Sequence, residues 1–193
     1  MRFTKIPSDT FQKLQLNAAI LLRDFKPADG SFKPTDQIGA TTGGINFVAA
    51  PSFKDFGEDI DNCPKNMKEL KELEEWSVKS TGTFVTMDTA AAKSLCAAAD
   101  IGVEDTTKVT PRNDLSDGDY GDIWIVGDYS DKNSATGGGY IAIHLLNALS
   151  TGGFQMQTSD KAKGQFAFEY TAHYSMNAQE TVPFEIYIKT GTA

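Results

Sequence analysis

The chain reads as a mainly β protein, a β-sandwich or partly closed barrel with one flanking α-helix, and three observations predict this. Residues 164–176 (GQFAFEYTAHYSM) place Phe166, Phe168, Tyr170, Ala172, Tyr174 and Met176 on one face at a spacing of two, with Gln165, Glu169, Thr171, His173 and Ser175 on the other. Such alternation marks a sheet with one face buried, which needs a second layer over it. Turn clusters divide the rest of the chain into short β-branched and aromatic segments, giving a tally of seven or eight strands. A single helix is read, in the alanine-rich stretch 90–99.

Taken in order, residues 14–22 alternate Leu14, Leu16, Ala18, Ile20 and Leu22 with Gln15, Asn17, Ala19 and Leu21, which predicts a strand. Pro27, Asp29-Gly30 and Pro34 follow as a turn-rich connection, with Asp29-Gly30 suited to a hairpin turn. A second strand is expected over 38–49, interrupted by a bulge or close backbone approach at Gly43-Gly44. Residues 51–75 open as an acidic loop and pass into a Lys/Glu-rich run (KNMKELKELEE) whose propensity favours helix. Only Met67, Leu70 and Leu73 form a stripe there, too narrow to dock a helix firmly, so a long exposed loop or β-arm is the competing reading.

Residues 76–87 (WSVKSTGTFVTM) read as a strand kinked at Gly82. Asp88 or Thr89 caps the following helix and Gly102 ends it. After the turn cluster 113–119, Ile123-Trp124-Ile125-Val126 is apolar on both sides and is expected to be buried on both. Residues 127–139 form a polar loop before a strand over 140–146. A hairpin of 154–158 with 164–176 and a last strand over 183–189 complete the chain.

The 193 residues fit one domain, large enough to bury a sizeable core without a metal or disulfide. Cys63 and Cys96 cannot make a disulfide framework and read as free thiols. The N-terminus has no apolar signal region and no apolar run approaches the ~20 residues of a membrane helix, so synthesis in a cytoplasm is expected. A net charge of −8 opposes ordinary nucleic-acid binding, which neutralises phosphates with Lys and Arg. It equally suits a soluble domain, or a surface past which DNA slides without sticking.

No motif for catalysis or a cofactor emerges. His144 and His173 lie in separate strands with no ligand at a metal-binding spacing, and no Gly-x-Ser-x-Gly elbow is present. Gly137-Gly138-Gly139 lacks the Gly-Lys-Ser/Thr of a phosphate loop and leads into a strand, so it reads as a flexible turn. Asp117, Asp119 and Asp122 superficially match the start of a calcium loop but lack its twelfth-position Glu, and turn chemistry accounts for them. The candidate site is instead a recognition surface. The acidic cluster Asp55, Glu58, Asp59 and Asp61 and the neighbouring Lys65, Lys68 and Lys71 make an arm longer than a compact domain needs.

Several blocks carry a family resemblance: 14–25 (LQLNAAILLRDF), 39–47 (GATTGGINF), 55–64 (DFGEDIDNCP), 81–87 (TGTFVTM) and 153–170 (GFQMQTSDKAKGQFAFEY). In order and spacing they resemble the major tail tube proteins of long-tailed, siphovirus-type phages and prophages. The resemblance implies a sandwich with a flanking helix that assembles as homo-hexameric rings, stacked into the tube through which DNA leaves the capsid. It implies further partners among tail proteins such as the tape measure, tail terminator and distal tail proteins. It also implies location in the virion tail after assembly in the host cytoplasm, an inter-subunit arm over 51–75, and no catalytic residue. The face of Gln165, Glu169, Thr171, His173 and Ser175 is a candidate lumen lining. The alternative is a secreted or surface β-sandwich module that binds carbohydrate or mediates adhesion, which would present a planar row of Trp or Tyr. A hydrolase or metal-dependent β-enzyme is a third reading, for which the sequence offers no site.

Overall fold

In the computed structural model, which describes residues 5–7, 10–129 and 138–190, the alternating segments become eleven strands and one α-helix. Before the helix come β1 Gln15–Leu22, β2 Gln37–Gly39, β3 Thr41–Asp55 and β4 Lys71–Phe84. The helix α1, Thr89–Leu95, is followed by β5 Ala99–Ile101, β6 Val109–Pro111, β7 Gly121–Tyr129 and β8 Tyr140–Ser150. Last come β9 Gln155–Gln157, β10 Gln165–Thr171 and β11 Phe184–Lys189. Nine strands form one antiparallel sheet in the order β2-β1-β7-β8-β10-β4-β3, with β11 added to β8 and β9 to β10, while β5 and β6 pair separately. The sheet is open, and the protein is a two-layer β-sandwich with one flanking helix.

The corner between the layers lies in β8. One edge of β8 pairs with β7; the other pairs with β11 from Tyr140 to Leu145 and then with β10 at Leu149 and Ser150. Between those two partners Asn147 has φ +47°, a conformation asparagine tolerates better than most residues. Its backbone N–H donates to Asp122 Oδ1 and its side-chain amide to the His173 carbonyl. The strand thereby leaves one layer and enters the other with the Asn147 backbone N–H and side-chain amide both hydrogen-bonded.

The core fills the space between these layers. Leu21, Ile123, Ile125 and Leu145 from the first meet Val78, Phe84, Phe168 and Tyr170 from the second, with Ala91 and Leu95 of α1 alongside. A smaller cluster of Leu22, Phe25, Trp124 and Ala142 lies on the opposite face of the first layer. Trp124 is buried between Ile123 and Ile125, so the expectation that 123–126 is covered on both faces holds.

Several boundaries differ from the sequence reading. In β1, Asn17 has φ +65° and the register with β7 slips between Leu16 and Ile20, so Leu21 and Leu22 fall on opposite, equally buried faces. The 38–49 strand is two strands: β2 pairs with β1, whereas β3 pairs with β4 and runs on to Asp55. Its Gly43-Gly44 bulge is present, with both glycines at positive φ and the register slipping between Thr42 and Ile45. The helix is capped as expected by Asp88, whose carboxylate accepts from Ala91 N–H, but it stops at Leu95 rather than near 99. There Ser150 Oγ donates to the Leu95 carbonyl, Ala97 turns left-handed, and Ala99 is already pairing in β5. The 164–176 strand ends at Thr171: Phe168, Tyr170 and Ala172 are buried, but Tyr174 and Met176 are exposed. Gly138 and Gly139 precede β8, while Gly137 lies outside the described residues.

Candidate assembly surfaces

The arm is a β-hairpin and not a helix. Of residues 65–75, for all their helical propensity, Lys68–Leu70 make only a single 3-10 turn and 71–75 form the first part of β4, which pairs with β3 from Ser52↔Glu75 to Asp55↔Lys71. Glu74 is the extra residue at a bulge between Ser52↔Glu75 and Phe53↔Leu73. Cross-strand hydrogen bonds with a fifteen-residue neighbour outweigh a propensity difference of a few tenths of a kcal/mol per residue.

Asp55 holds the tip together. Its two carboxylate oxygens accept from Asn66 N–H at 2.8 Å and Gly57 N–H at 2.9 Å, and these bonds keep the carboxyl below its usual range. Lys71 lies opposite Asp55, with its Nζ 5.0 Å from the Phe53 ring centroid. Among the described residues Lys68 pairs with its neighbour Glu69, both exposed, a contact of little energetic value. Glu58, Asp59 and Asp61 carry no ion pair or side-chain hydrogen bond among the described residues, and Lys65 sits on the exposed tip beside them. The arm also exposes Phe53, Phe56, Ile60, Met67 and Leu73, each 39–52% accessible. Helical steps along 65–75 group Met67 and Leu73 with Leu70 and leave out the two phenylalanines and Ile60, which the hairpin places on the same arm.

The second candidate surface is only partly assembled. Glu169 and Thr171 share the outer face of β10, where Glu169 accepts from Thr151 Oγ1 at 2.9 Å and Lys79 Nζ at 3.2 Å. The Thr151 and Thr171 hydroxyls lie 2.7 Å apart. Those contacts, that of Thr151 first, hold Glu169 below its ordinary range. Pairing continues the rows across the layer as Glu169-Thr81-Asn46 and Thr171-Lys79-Val48. Gln165, exposed, stands at the β9 end of the same strand. His173 and Ser175 lie beyond the strand: His173 packs edge-on against Tyr120 near the Asn147 corner, and Ser175 bridges to Ala178. This face is hydroxyl-rich, and its central Lys79–Glu169 pair is internally neutral.

The remaining polar candidates serve the fold. Asp119 accepts from Ser116 N–H at 2.8 Å and from the Arg112 guanidinium at 2.6 Å, and these bonds, that of Ser116 first, hold its carboxyl low. Asp122 lies 3.0 Å from His144 Nε2, and the His144 ring stacks on Trp124 with centroids 3.8 Å apart. Among the described residues no group of three or more His, Cys, Asp or Glu side chains is placed to hold a metal ion, and Cys63 and Cys96 are unpaired. No helix among them is long and apolar enough to cross a membrane.

Asp29, Asp55, Asp105, Asp119 and Glu169 all titrate lower in the folded chain than free carboxylates, chiefly through hydrogen bonds they accept. Their contribution is therefore complete above the ordinary carboxylate range near pH ~4 and is lost as pH falls through the depressed values. Thermal melts are expected to show a nearly constant midpoint between pH 6 and 8 and a falling one below about pH 4. A midpoint that rises on acidification would contradict these assignments.

What these surfaces define is an antiparallel β-sandwich with a projecting hairpin. No protein-family model matches the chain, and no curated protein matches it.

Proposed function

We propose that this chain is a structural virion protein that self-assembles into hexameric rings stacked as a phage tail tube, the conduit for DNA ejection. The observation that carries the reading is the arm: a two-stranded projection with five half-exposed apolar side chains, held in shape by Asp55 although little of it packs on the sandwich. Such a surface is soluble in isolation and gains from being covered. A second support is β3, fifteen residues long and at the end of the strand order, whose outer edge has no partner strand among the described residues. A long open edge is a template for pairing with another chain, and a closed ring turns that hazard into an interface. The tape measure, terminator and distal tail proteins are the further partners this role requires, and it places the protein in the virion tail. It requires no enzyme activity and no cofactor. The rival carbohydrate or adhesion module gains nothing from the tryptophans, since Trp124 is stacked on His144 and Trp76 packs edge-on against Phe184.

Concentrated protein is expected to form rings or tubes in negative-stain images, with light scattering that rises with concentration. Monomers at every concentration and salt would overturn the proposal. Duplex DNA is expected to bind weakly or not at all in fluorescence anisotropy at low salt, because a chain of net charge −8 releases few counterions. Micromolar binding that weakens steeply with salt would count against the conduit.

A further inference from the structure

Between α1 and the start of β7 lies a concavity of about 350 Å³, lined with apolar groups including Ile38, Ile123 and Ala148. Four charged side chains also line it. The two carboxylates are already engaged within the chain, Asp119 by Arg112 and Asp122 by His144 and the Asn147 N–H. The two cations, Arg23 and Lys93, have no carboxylate partner among the described residues. Most basic side chains among the described residues are likewise without an ion pair, and what sets these two apart is that both border one apolar hollow.

The tip presents the opposite pattern. Glu58, Asp59 and Asp61, all exposed and without an ion pair among the described residues, flank Ile60, which is 51% accessible. The turn that displays them is closed by Ile60 N–H to the Gly57 carbonyl and Cys63 N–H to the Ile60 carbonyl. An apolar side chain framed by acids thus matches an apolar hollow whose two bases, unlike its two carboxylates, have no partner of opposite charge among the described residues.

A chain cannot satisfy its own pocket. Ser94 in the lining bonds Tyr170, which pairs with Ser80 in β4, and from Ser80 to Lys71 at the arm's tip the strand runs about 30 Å. The contact must be made between copies, and because it joins two different surfaces it is heterologous, the kind that propagates into a ring or a stack.

We propose that the arm tip of a second copy docks in this pocket, with Ile60 entering the apolar lining and Glu58, Asp59 and Asp61 facing Arg23 and Lys93. This rests on the self-assembly proposed above and assigns its receptor. The test is sedimentation velocity on four full-length samples: wild type, R23E/K93E, E58K/D59K, and an equimolar mixture of the two variants. Every substituted side chain is exposed or half-exposed, so melts are expected to match wild type. Each variant alone is expected to lose association by about tenfold or more, and the mixture to regain it, since each chain then offers the partner that the other needs. An Ile60→Asp chain gives a second readout and is expected to associate as poorly as the charge variants. If R23E/K93E associates like wild type, or the mixture fails to recover, the pocket is not the receptor although assembly itself stands. If wild type never associates, both proposals fall.

Discussion

Replacing Phe168 by alanine is expected to destabilise the fold by about 3–5 kcal/mol, the range for deleting a buried aromatic ring from a core that cannot close around the gap. Phe168 is 3% exposed, its ring centroid lying 4.5 Å from that of Phe84 and 5.7 Å from that of Tyr170. Across the strand pair its partner is Gly82, and a Cβ built there would meet the ring at 2.6 Å. The ring therefore lies directly on the β4 backbone. That backbone is hydrogen-bonded to β3 on one side and β10 on the other and cannot move in to fill a cavity. In a domain of this length such a loss lowers the melting midpoint by about 10 °C or more. Phe168→Leu, which keeps most of the volume, is expected to cost well under half as much. Denaturant titrations of the two variants check this, and an alanine variant within about 1 kcal/mol of wild type would mean that β10 does not face the core.

Exchanging the arm tip, residues 56–70, for a short Gly-Ser linker is expected to leave the sandwich folded while removing self-association. Within that segment only Gly57 is buried, and the nearest core side chains are those of Trp76 and Val78, past the bulge at Glu74. Exchanging one loop for another alters closure entropy by about 1 kcal/mol or less. Association suffers far more, because the lost contact recurs at every subunit interface of a ring or stack. Circular dichroism and melts report the fold, and negative-stain images the assembly. Normal tubes from this variant would reduce the arm to a solvated loop, and an unfolded variant would place Met67 and Leu70 in the core.

The arm also shows where local reading ends. Lys and Glu in the 65–75 run have good helical propensity, yet this segment has a strand partner in 52–55 with which to pair, and that partner lies outside any window of local sequence. Its apolar residues give a weak signal in either period: Leu70 and Leu73 fit a helical step, and Leu73 and Trp76 flank a bulge that breaks the alternation of a strand. The strand at 164–176 was legible through its first half because Phe166, Phe168 and Tyr170 alternate with polar residues. Its end was not, because alternation persists in the sequence through Tyr174 and Met176 after the chain has run out of neighbours to pair with. Arg23 and Lys93 left no mark at all, since seventy residues separate them and neither sits in a motif.

The sequence by itself determined the β class, the inward face of β10, the double burial of β7, the capped helix after Asp88 and the glycine bulge in β3. These are periodicities and turn preferences that a few neighbouring residues express through their own dihedrals and side-chain directions. Only the tertiary structure decided that β8 carries the corner between the layers, that His173 and Ser175 leave the face of Glu169, that the arm is a hairpin, and which charges are spent inside the chain. Each of those depends on which distant strand lies alongside, and strand pairing is fixed by hydrogen bonds and packing between segments whose separation along the chain no local pattern encodes.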